Sequence, residues 1–179
     1  MAITIMITDR IMKAATAAAM LILFFTCGSA SAQSVRGEKS FGPRAGYVSR
    51  NNSAFAGLEF EYSFSEHLRI APSADIIFRN EKKDGLAVNL DVHFPFAFAG
   101  GRAGVYPLAG VNYTSWGLHS DGADNGKDVT THTNRFGANA GCGIELRCSP
   151  TLKLSVEARY SLMKRCSTAF GGVGIAYVF

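Results

Sequence analysis

The stretch LKLSVEARYSL, residues 152–162, alternates between apolar and polar side chains at every step. Its even-numbered positions are all apolar, while its odd-numbered positions include Lys153, Glu157 and Arg159. A period of two is that of a β-strand, because successive side chains point to opposite faces of a sheet. The stretch therefore predicts a strand with one apolar face and one charged face.

Between Phe41 and Phe179 the chain divides into eight such segments, which polar or glycine-rich breaks separate. Each is about ten residues long, and a tilted strand needs about 9–11 residues to cross a membrane. We therefore predict an all-β fold, an eight-stranded antiparallel up-and-down transmembrane β-barrel. The alternation is regular in most segments and less regular in those near 41–50 and 102–116.

Alternation alone also fits a water-soluble, lipocalin-like barrel with an apolar interior. The lumen of an eight-stranded barrel is too narrow for so many Phe and Leu side chains, so we place the apolar face outward, in lipid. The charges then point inward and are expected to pair across the lumen and fill it, because an unpaired buried charge is costly. The predicted lumen charge network is Glu59, Glu61, Arg69, Asp75, Asp91, Glu145, Lys153, Glu157 and Arg159. A gated or narrow polar path is the alternative, and His93 is expected on the inward face with its hydrogen bonds satisfied.

Aromatic residues cluster at both ends of the predicted strands, as in membrane barrels with two aromatic girdles. One predicted rim carries Tyr62, Phe64, Phe94, Phe96, Tyr177 and Phe179, and the other Tyr47, Phe78, Tyr113, Phe136 and Tyr160. The joins at the first rim are short and those at the second include the long His119–Asn134 segment. Short inner turns and long outer loops place the first rim on the periplasmic side.

The N-terminal region has the pattern of a secretory signal peptide. Lys13 precedes a short apolar run, which ends in Ala30-Ser31-Ala32. We predict a cleaved signal peptide at 1–32, a short segment at 33–40 and the outer-membrane barrel at 41–179. An uncut anchor and a lipoprotein cleaved at Cys27 are the alternatives.

The segment count, the alternation and the terminal Tyr177-Val178-Phe179 together resemble the small eight-stranded outer-membrane barrels: the OmpA membrane domain, OmpX and the opacity-type, porin-like proteins. The resemblance covers about 40–179 and implies a surface protein of Gram-negative bacteria, with outer-membrane lipid as its surroundings. It also implies that Val173, Ile175, Tyr177 and Phe179 form a C-terminal signal that the barrel-assembly machinery reads. The last strand should pair with the first, because an unpaired edge is not tolerated in lipid.

The functional prediction is a structural or surface-interaction, adhesin-like role through the outer loops, without catalysis. The candidate contact residues for an unknown surface ligand are Asp121, Asp124, Asp128 and His132. The aspartates do not match the ligand spacing of a calcium loop, so we predict no metal and no cofactor. Two alternatives stay open: a lipid A deacylase-like enzyme, on His132-Thr133-Asn134, and a narrow conductance pathway. The net charge of +4 is too small to indicate a nucleic-acid partner.

The cysteines are not expected to form a structural pair within the barrel. Cys148 falls at the predicted periplasmic end and Cys166 at the opposite end, about a membrane thickness apart, which is beyond disulfide reach. Cys142 lies on the predicted lipid-facing side. We therefore predict no disulfide between Cys148 and Cys166.

Overall fold

The computed structural model describes residues 36–50, 52–80, 83–120, 129–163 and 167–179. Nine strands and one short 3₁₀ turn (Ala99–Gly101) account for most of these residues. The strands are β1 (Lys39–Val48), β2 (Ser53–Ser65), β3 (Leu68–Asn80), β4 (Lys83–His93), β5 (Phe96–Phe98), β6 (Ala103–Ser120), β7 (Val129–Ser149), β8 (Leu152–Met163) and β9 (Thr168–Val178).

Eight of the strands close into an antiparallel barrel, and the predicted fold class is confirmed. Each long strand pairs with the next one along the chain, with β4 pairing directly to β6, while the three-residue β5 pairs only with β6. β9 pairs with β1, so the predicted contact between the last and first strands is also confirmed. The backbones of Lys39 and Phe179 exchange hydrogen bonds of 3.2 and 2.9 Å at this seam.

The two ends of the barrel differ in their connections. We call the end with the tight turns at 66–67 and 150–151 the turn end, and the opposite end, where β1 passes to β2, the loop end. Residues 51, 81–82, 121–128 and 164–166 lie outside the described residues. No helix in the described parts of the chain is long and apolar enough to span a membrane.

The outward face of the barrel is apolar. Every long strand has large apolar side chains exposed on it, for example Leu58 in β2, Ile76 in β3 and Leu90 in β4. The terminal positions Ile175, Tyr177 and Phe179 are on this face as well. Such a band has no partner within the protein, and it suits contact with lipid hydrocarbon.

Several strands begin or end at other residues than predicted. β1 begins at Lys39, two residues before the predicted barrel start, and β4 ends at His93, so Phe94 and Phe96 lie beyond it. The described residues of the predicted loop at 119–134 are strand, because β6 continues to Ser120 and β7 starts at Val129. The β-branched residues of 129–133 favour an extended backbone, which prolongs the hairpin. Asp121, Asp124 and Asp128, like the predicted signal peptide at 1–32, lie outside the described residues.

Candidate functional site

The lumen of the barrel contains the candidate site, and its centre is a buried arginine. The Arg159 guanidinium on β8 donates to Asp91 on β4 at 2.9 Å and lies 3.2 Å from Asp75 on β3. All three side chains are at most 2% exposed. A cation flanked by two carboxylates across the lumen thus ties β8 to β3 and β4, with which it does not pair.

A second arginine, Arg44 on β1, bridges three carboxylates. It pairs with Glu59, lies 3.2 Å from Asp75 and lies 3.4 Å from Glu157. The sequence prediction missed this residue because glycines and Pro43 interrupt the alternation of its segment. Its position in the strand was nevertheless informative. Arg44 is an even number of residues from Ser40 and Val48, so the three lie on the same face, and both Ser40 and Val48 are buried.

A third group of ion pairs lies closer to the turn end. Arg69 contacts Glu145 at 2.7 Å and Glu61 at 3.2 Å. Lys153 pairs with Glu61 as well and lies 3.8 Å from Glu145. With the two arginine groups above, all nine predicted lumen residues take part in ion pairs.

Another ion pair, also missed, lies at the turn-end mouth. Both terminal nitrogens of Arg147 donate to the Glu38 carboxylate, at 2.7 and 2.6 Å. The side chains are 6% and 11% exposed. This bidentate pair joins β7 to the residue that precedes β1.

His93 is inward, as predicted, but its hydrogen bonds are not satisfied by the described protein atoms. The imidazole is fully buried and stacks on the Tyr106 ring at a centroid distance of 4.6 Å. Its nitrogens lie 3.8 Å from Glu61 and 4.0 Å from Glu157, too far for hydrogen bonds, and neither has another partner in the described chain. The inward position of His93 agrees with the prediction, and the satisfaction of its hydrogen bonds stays a prediction.

Carboxylates outnumber cations between the mouth pair and the loop end. The six lumen carboxylates that the ion pairs join are Glu59, Glu61, Asp75, Asp91, Glu145 and Glu157, and the four cations are Arg44, Arg69, Lys153 and Arg159. The described interior is thus net acidic when these groups are ionised.

Beside the central arginine, neutral amides form a hydrogen-bonded cluster. Asn139 on β7 donates to Asn89 at 3.2 Å and to Asp91 at 2.8 Å, and it accepts from Ser161 at 2.7 Å. Asn112 donates to the same Asn139 side chain. Asparagine on an inward strand position is the signal that could have identified this cluster.

Towards the loop end the inward face becomes apolar, which the sequence prediction did not foresee. Phe55 and Ile77 lie on the same face of their strands as the charged residues, but they are apolar, pack together and are each 1% exposed. The apolar cluster, as we call it, consists of Val48, Phe55, Ile77, Ala87, Trp116 and Phe170. Alternation distinguishes the two faces of a strand, but it does not show how an inward face changes along the barrel.

Inward glycines provide the space for these large side chains. A Cβ at Gly143 would lie 2.2 Å from the Tyr106 ring, one at Gly57 would lie 2.3 Å from Asp75, and one at Gly110 would lie 2.2 Å from Asp91. Real atoms cannot approach so closely, so each glycine accommodates a neighbouring inward side chain.

Two adjoining cavities follow the seam between β1 and β9. The first is lined by Glu61, Lys153, Ala176 and neighbours, the second by Glu157, Gly172 and neighbours, and each has about 10 Å³ of space, roughly enough for one water molecule. Arg44, Glu59, Ser155 and Gly174 line both. Within the described residues, no cluster of His, Cys, Asp or Glu suits a metal ion.

The hairpin of β6 and β7 rises beyond its neighbour β8. β7 pairs with the whole of β6, from Val129 to Leu146, whereas its described pairing with β8 begins only at Gly137. His132 belongs to this hairpin and pairs with Gly117 on β6. Thr133 and Asn134 are also strand residues, so the stretch on which the alternative enzyme hypothesis rests is not a loop.

The cysteines differ in state. Cys142 is a free, exposed thiol on the outward face of β7. Cys148, near the turn end of β7, is disulfide-bonded, and its partner is not among the described residues. Cys166 also lies outside the described residues, and the absence of a bond between it and Cys148 stays a prediction.

Comparisons with known proteins place the chain among membrane barrels. Residues 17–179 match the family described as the outer membrane protein β-barrel domain. No curated protein sequence shows significant similarity to the chain.

Solved structures share the fold at low sequence identity. The N-terminal β-barrel domain of Pseudomonas aeruginosa OprF is similar with a TM-score of 0.67 and 14% identity, over 82% of this chain and 100% of that one. Neisserial surface protein A gives 0.63 and 14%, over 80% and 97%. Ail, the attachment invasion locus protein of Yersinia pestis, gives 0.59 and 15%, over 81% and 100%.

Proposed function

Because the chain belongs to the family of outer-membrane protein β-barrel domains, we propose that it is a barrel closed to ions whose specific role is surface contact through the β6–β7 hairpin. The turn end then faces the periplasm and the hairpin faces the exterior, after export that removes a signal peptide at 1–32. The barrel is not catalytic on this proposal. The barrel-assembly machinery would read Val173, Ile175 and Tyr177, which lie along one face of β9, and Phe179, which follows the strand directly.

Packing of the lumen supports closure. Ion pairs join strands across the interior at three levels, from Lys153 near the turn end to Arg159 at the centre. The apolar cluster covers the loop-end side of these pairs. An eight-stranded barrel has room for little more than its own side chains, so no continuous water path is expected through it.

The extension of the hairpin past β8 is the observation that carries the surface role. β6 has 18 residues and β7 has 21, against 11 in β4 and 12 in β8. In the described chain, residues 129–136 pair on one side only, with β6. The other edge of this segment offers backbone N–H and C=O groups to which an extended peptide can add as a further strand.

The charge of the hairpin favours a polypeptide over a sulfated polysaccharide. Its segment 119–134 contains Asp121, Asp124 and Asp128 but only one basic residue, Lys127. Ail, whose fold is similar, has been crystallised with a heparin analogue, but an acidic hairpin would repel such a polyanion. We therefore propose an extended peptide segment as the ligand.

Shortening the hairpin without disturbing the barrel tests this proposal. Gly117 pairs with His132, so replacing 118–131 by Asn-Gly should close the hairpin in register. A matched control replaces only 121–128 and keeps the paired strands. Wild type and both variants are refolded into lipid nanodiscs. Each is then used to select binding peptides from a phage-displayed library.

The proposal expects peptides that bind wild type and the 121–128 control but not the shortened hairpin. Retained binding by the shortened hairpin, in protein that keeps its heat-modifiable folded form, would show that the ligand binds elsewhere. Steady conductance of wild type in planar bilayers would separately refute the closed lumen.

A further inference from the structure

The lumen is divided along its axis into two regions of different chemistry. The ion pairs occupy the centre and the turn-end side, whereas the apolar cluster occupies the loop-end side. Arg44 precedes Val48 on β1, which runs towards the loop end, so its guanidinium approaches the cluster from the turn-end side. The two regions meet where arginines lie over aromatic rings.

The cavities beside β1 and β9 lead from the turn end up to this boundary. Their lining passes from Lys153 and Ala176 near the turn end to Gly172 near the cluster. The Phe55 ring lies only 3.0 Å from the position of a Cβ on Gly172 and 2.8 Å from that on Gly46. Phe55 therefore covers the loop-end limit of the cavities.

Two phenyl rings form the centre of the cover. Phe55 and Phe170 meet edge to face with centroids 5.7 Å apart. The Arg44 guanidinium lies 5.6 Å from the Phe55 centroid, and that of Arg159 lies 5.0 Å from the Phe170 centroid. The rings thus separate the ionised interior from the loop end.

We propose that the lumen is a half-channel that water enters from the turn end, and that the apolar cluster rather than the ion pairs is the barrier to passage. This inference rests on the closed lumen of the proposed function and says which part closes it. Water in the half-channel would supply hydrogen bonds to buried polar atoms that lack a protein partner, such as the His93 nitrogens and the Arg69 Nε.

Physical reasons favour the cluster as the barrier. An apolar constriction excludes ions because water does not wet it, whereas a polar lining can hydrate an ion that passes. The excess of six carboxylates over four cations further predicts that a path through the charged region would prefer cations.

Conductance of ring-deleted barrels tests the proposal. The double variant Phe55→Ser/Phe170→Ser removes both rings, and its matched control, Phe136→Ser, removes an outward ring that is 78% exposed. A third variant, Glu61→Gln/Lys153→Gln, neutralises an ion pair and leaves the cluster intact. Only protein that shows the heat-modifiable folded form is reconstituted in planar bilayers.

The ring-deleted variant should conduct at least about tenfold above wild type, with a cation-selective reversal potential, while both other variants stay closed. A folded ring-deleted variant that stays closed would overturn the proposal, as would opening by the ion-pair variant alone. Conductance in wild type itself would instead refute the closed lumen on which the proposal rests.

Thiol labelling keeps the proposal falsifiable if the ring-deleted variant does not fold. Ser155 lines both cavities, whereas Ser161 is 1% exposed and hydrogen-bonded within the amide cluster. With the native cysteines replaced by serine, Ser155→Cys should react with a small cationic thiol reagent at least about tenfold faster than Ser161→Cys, which must wait for local opening. Equal, slow rates would show that the turn-end half is dry and would refute the half-channel.

Discussion

The outward and inward faces of the barrel wall share the same strands but differ in what makes a substitution costly. Outward residues such as Ile76 and Val111 are each 58% exposed and meet no protein partner. Inward residues such as Arg69 and Asp75 are fully buried and are each paired with more than one opposite charge. The cost of an outward substitution thus depends on transferring the new side chain into lipid. The cost of an inward substitution depends on the ionic partners that lose their contact and on the space that is left.

The largest effect should come from removing the central inward cation. Arg159→Met leaves Asp75 and Asp91 without their shared partner and should lower the free energy of unfolding by about 3–5 kcal/mol. Urea unfolding in lipid vesicles measures this through the fluorescence of Trp116, the single tryptophan, which lies in the lumen. Adding Asp91→Asn should restore part of the loss. A loss in Arg159→Met no greater than in Ser161→Ala would mean that the buried pair does not dominate.

On the outward face the same kind of charge is costly for a different reason. Leu90 lies near the middle of β4 and is 46% exposed, so Leu90→Arg places a guanidinium in hydrocarbon. The free energy of unfolding should fall by about 2–4 kcal/mol. Leu90→Ala is the control for lost apolar contact, and the same urea titration compares the two. If arginine costs no more than alanine, this face does not meet lipid.

The faces could be predicted from the sequence because lipid and lumen impose a strict alternation on segments such as Leu152–Leu162. Arg44 was not predicted to be inward because Gly42, Pro43 and Gly46 interrupt the apolar–polar alternation of its strand. Those glycines are themselves a consequence of crowding, since a Cβ at Gly42 would lie 1.9 Å from a backbone oxygen. The position of a residue along the barrel axis leaves no periodic pattern in the sequence. An inward phenylalanine of the apolar cluster therefore looks like an interruption of the apolar–polar alternation.

Strand ends were the least predictable part of the fold. Residues 129–134 contain polar side chains that suggest a loop, yet they continue the β6–β7 ladder. The hairpin is long because each residue finds a cross-strand partner on β6, a property of two segments together rather than of either one.

Glycine positions provide a smaller and more local comparison of the two faces. Gly143→Ala places a methyl group 2.2 Å from Tyr106 and should cost about 1–3 kcal/mol through overpacking. Gly171 is outward with nothing within 4 Å, so Gly171→Ala should leave stability unchanged or slightly raised. The urea midpoints of unfolding of the two variants measure this difference in stability. The inward assignment of Gly143 fails if both substitutions are equally tolerated.

The smallest effect should be found at the turn-end mouth, where the inward face meets water. Arg147 and Glu38 form a bidentate pair like those deeper in the lumen, but water can reach Glu38 when its partner is removed. A double-mutant cycle with Arg147→Gln and Glu38→Gln should therefore give a coupling energy of only about 0.5–1 kcal/mol, falling as salt is added. The same cycle on Arg159 and Asp91 should give a larger, salt-insensitive coupling, because no solvent replaces the lost partner there. Equal couplings at the two depths would mean that water reaches the centre of the lumen as freely as its mouth, and the contrast between solvated and buried inward positions would be lost.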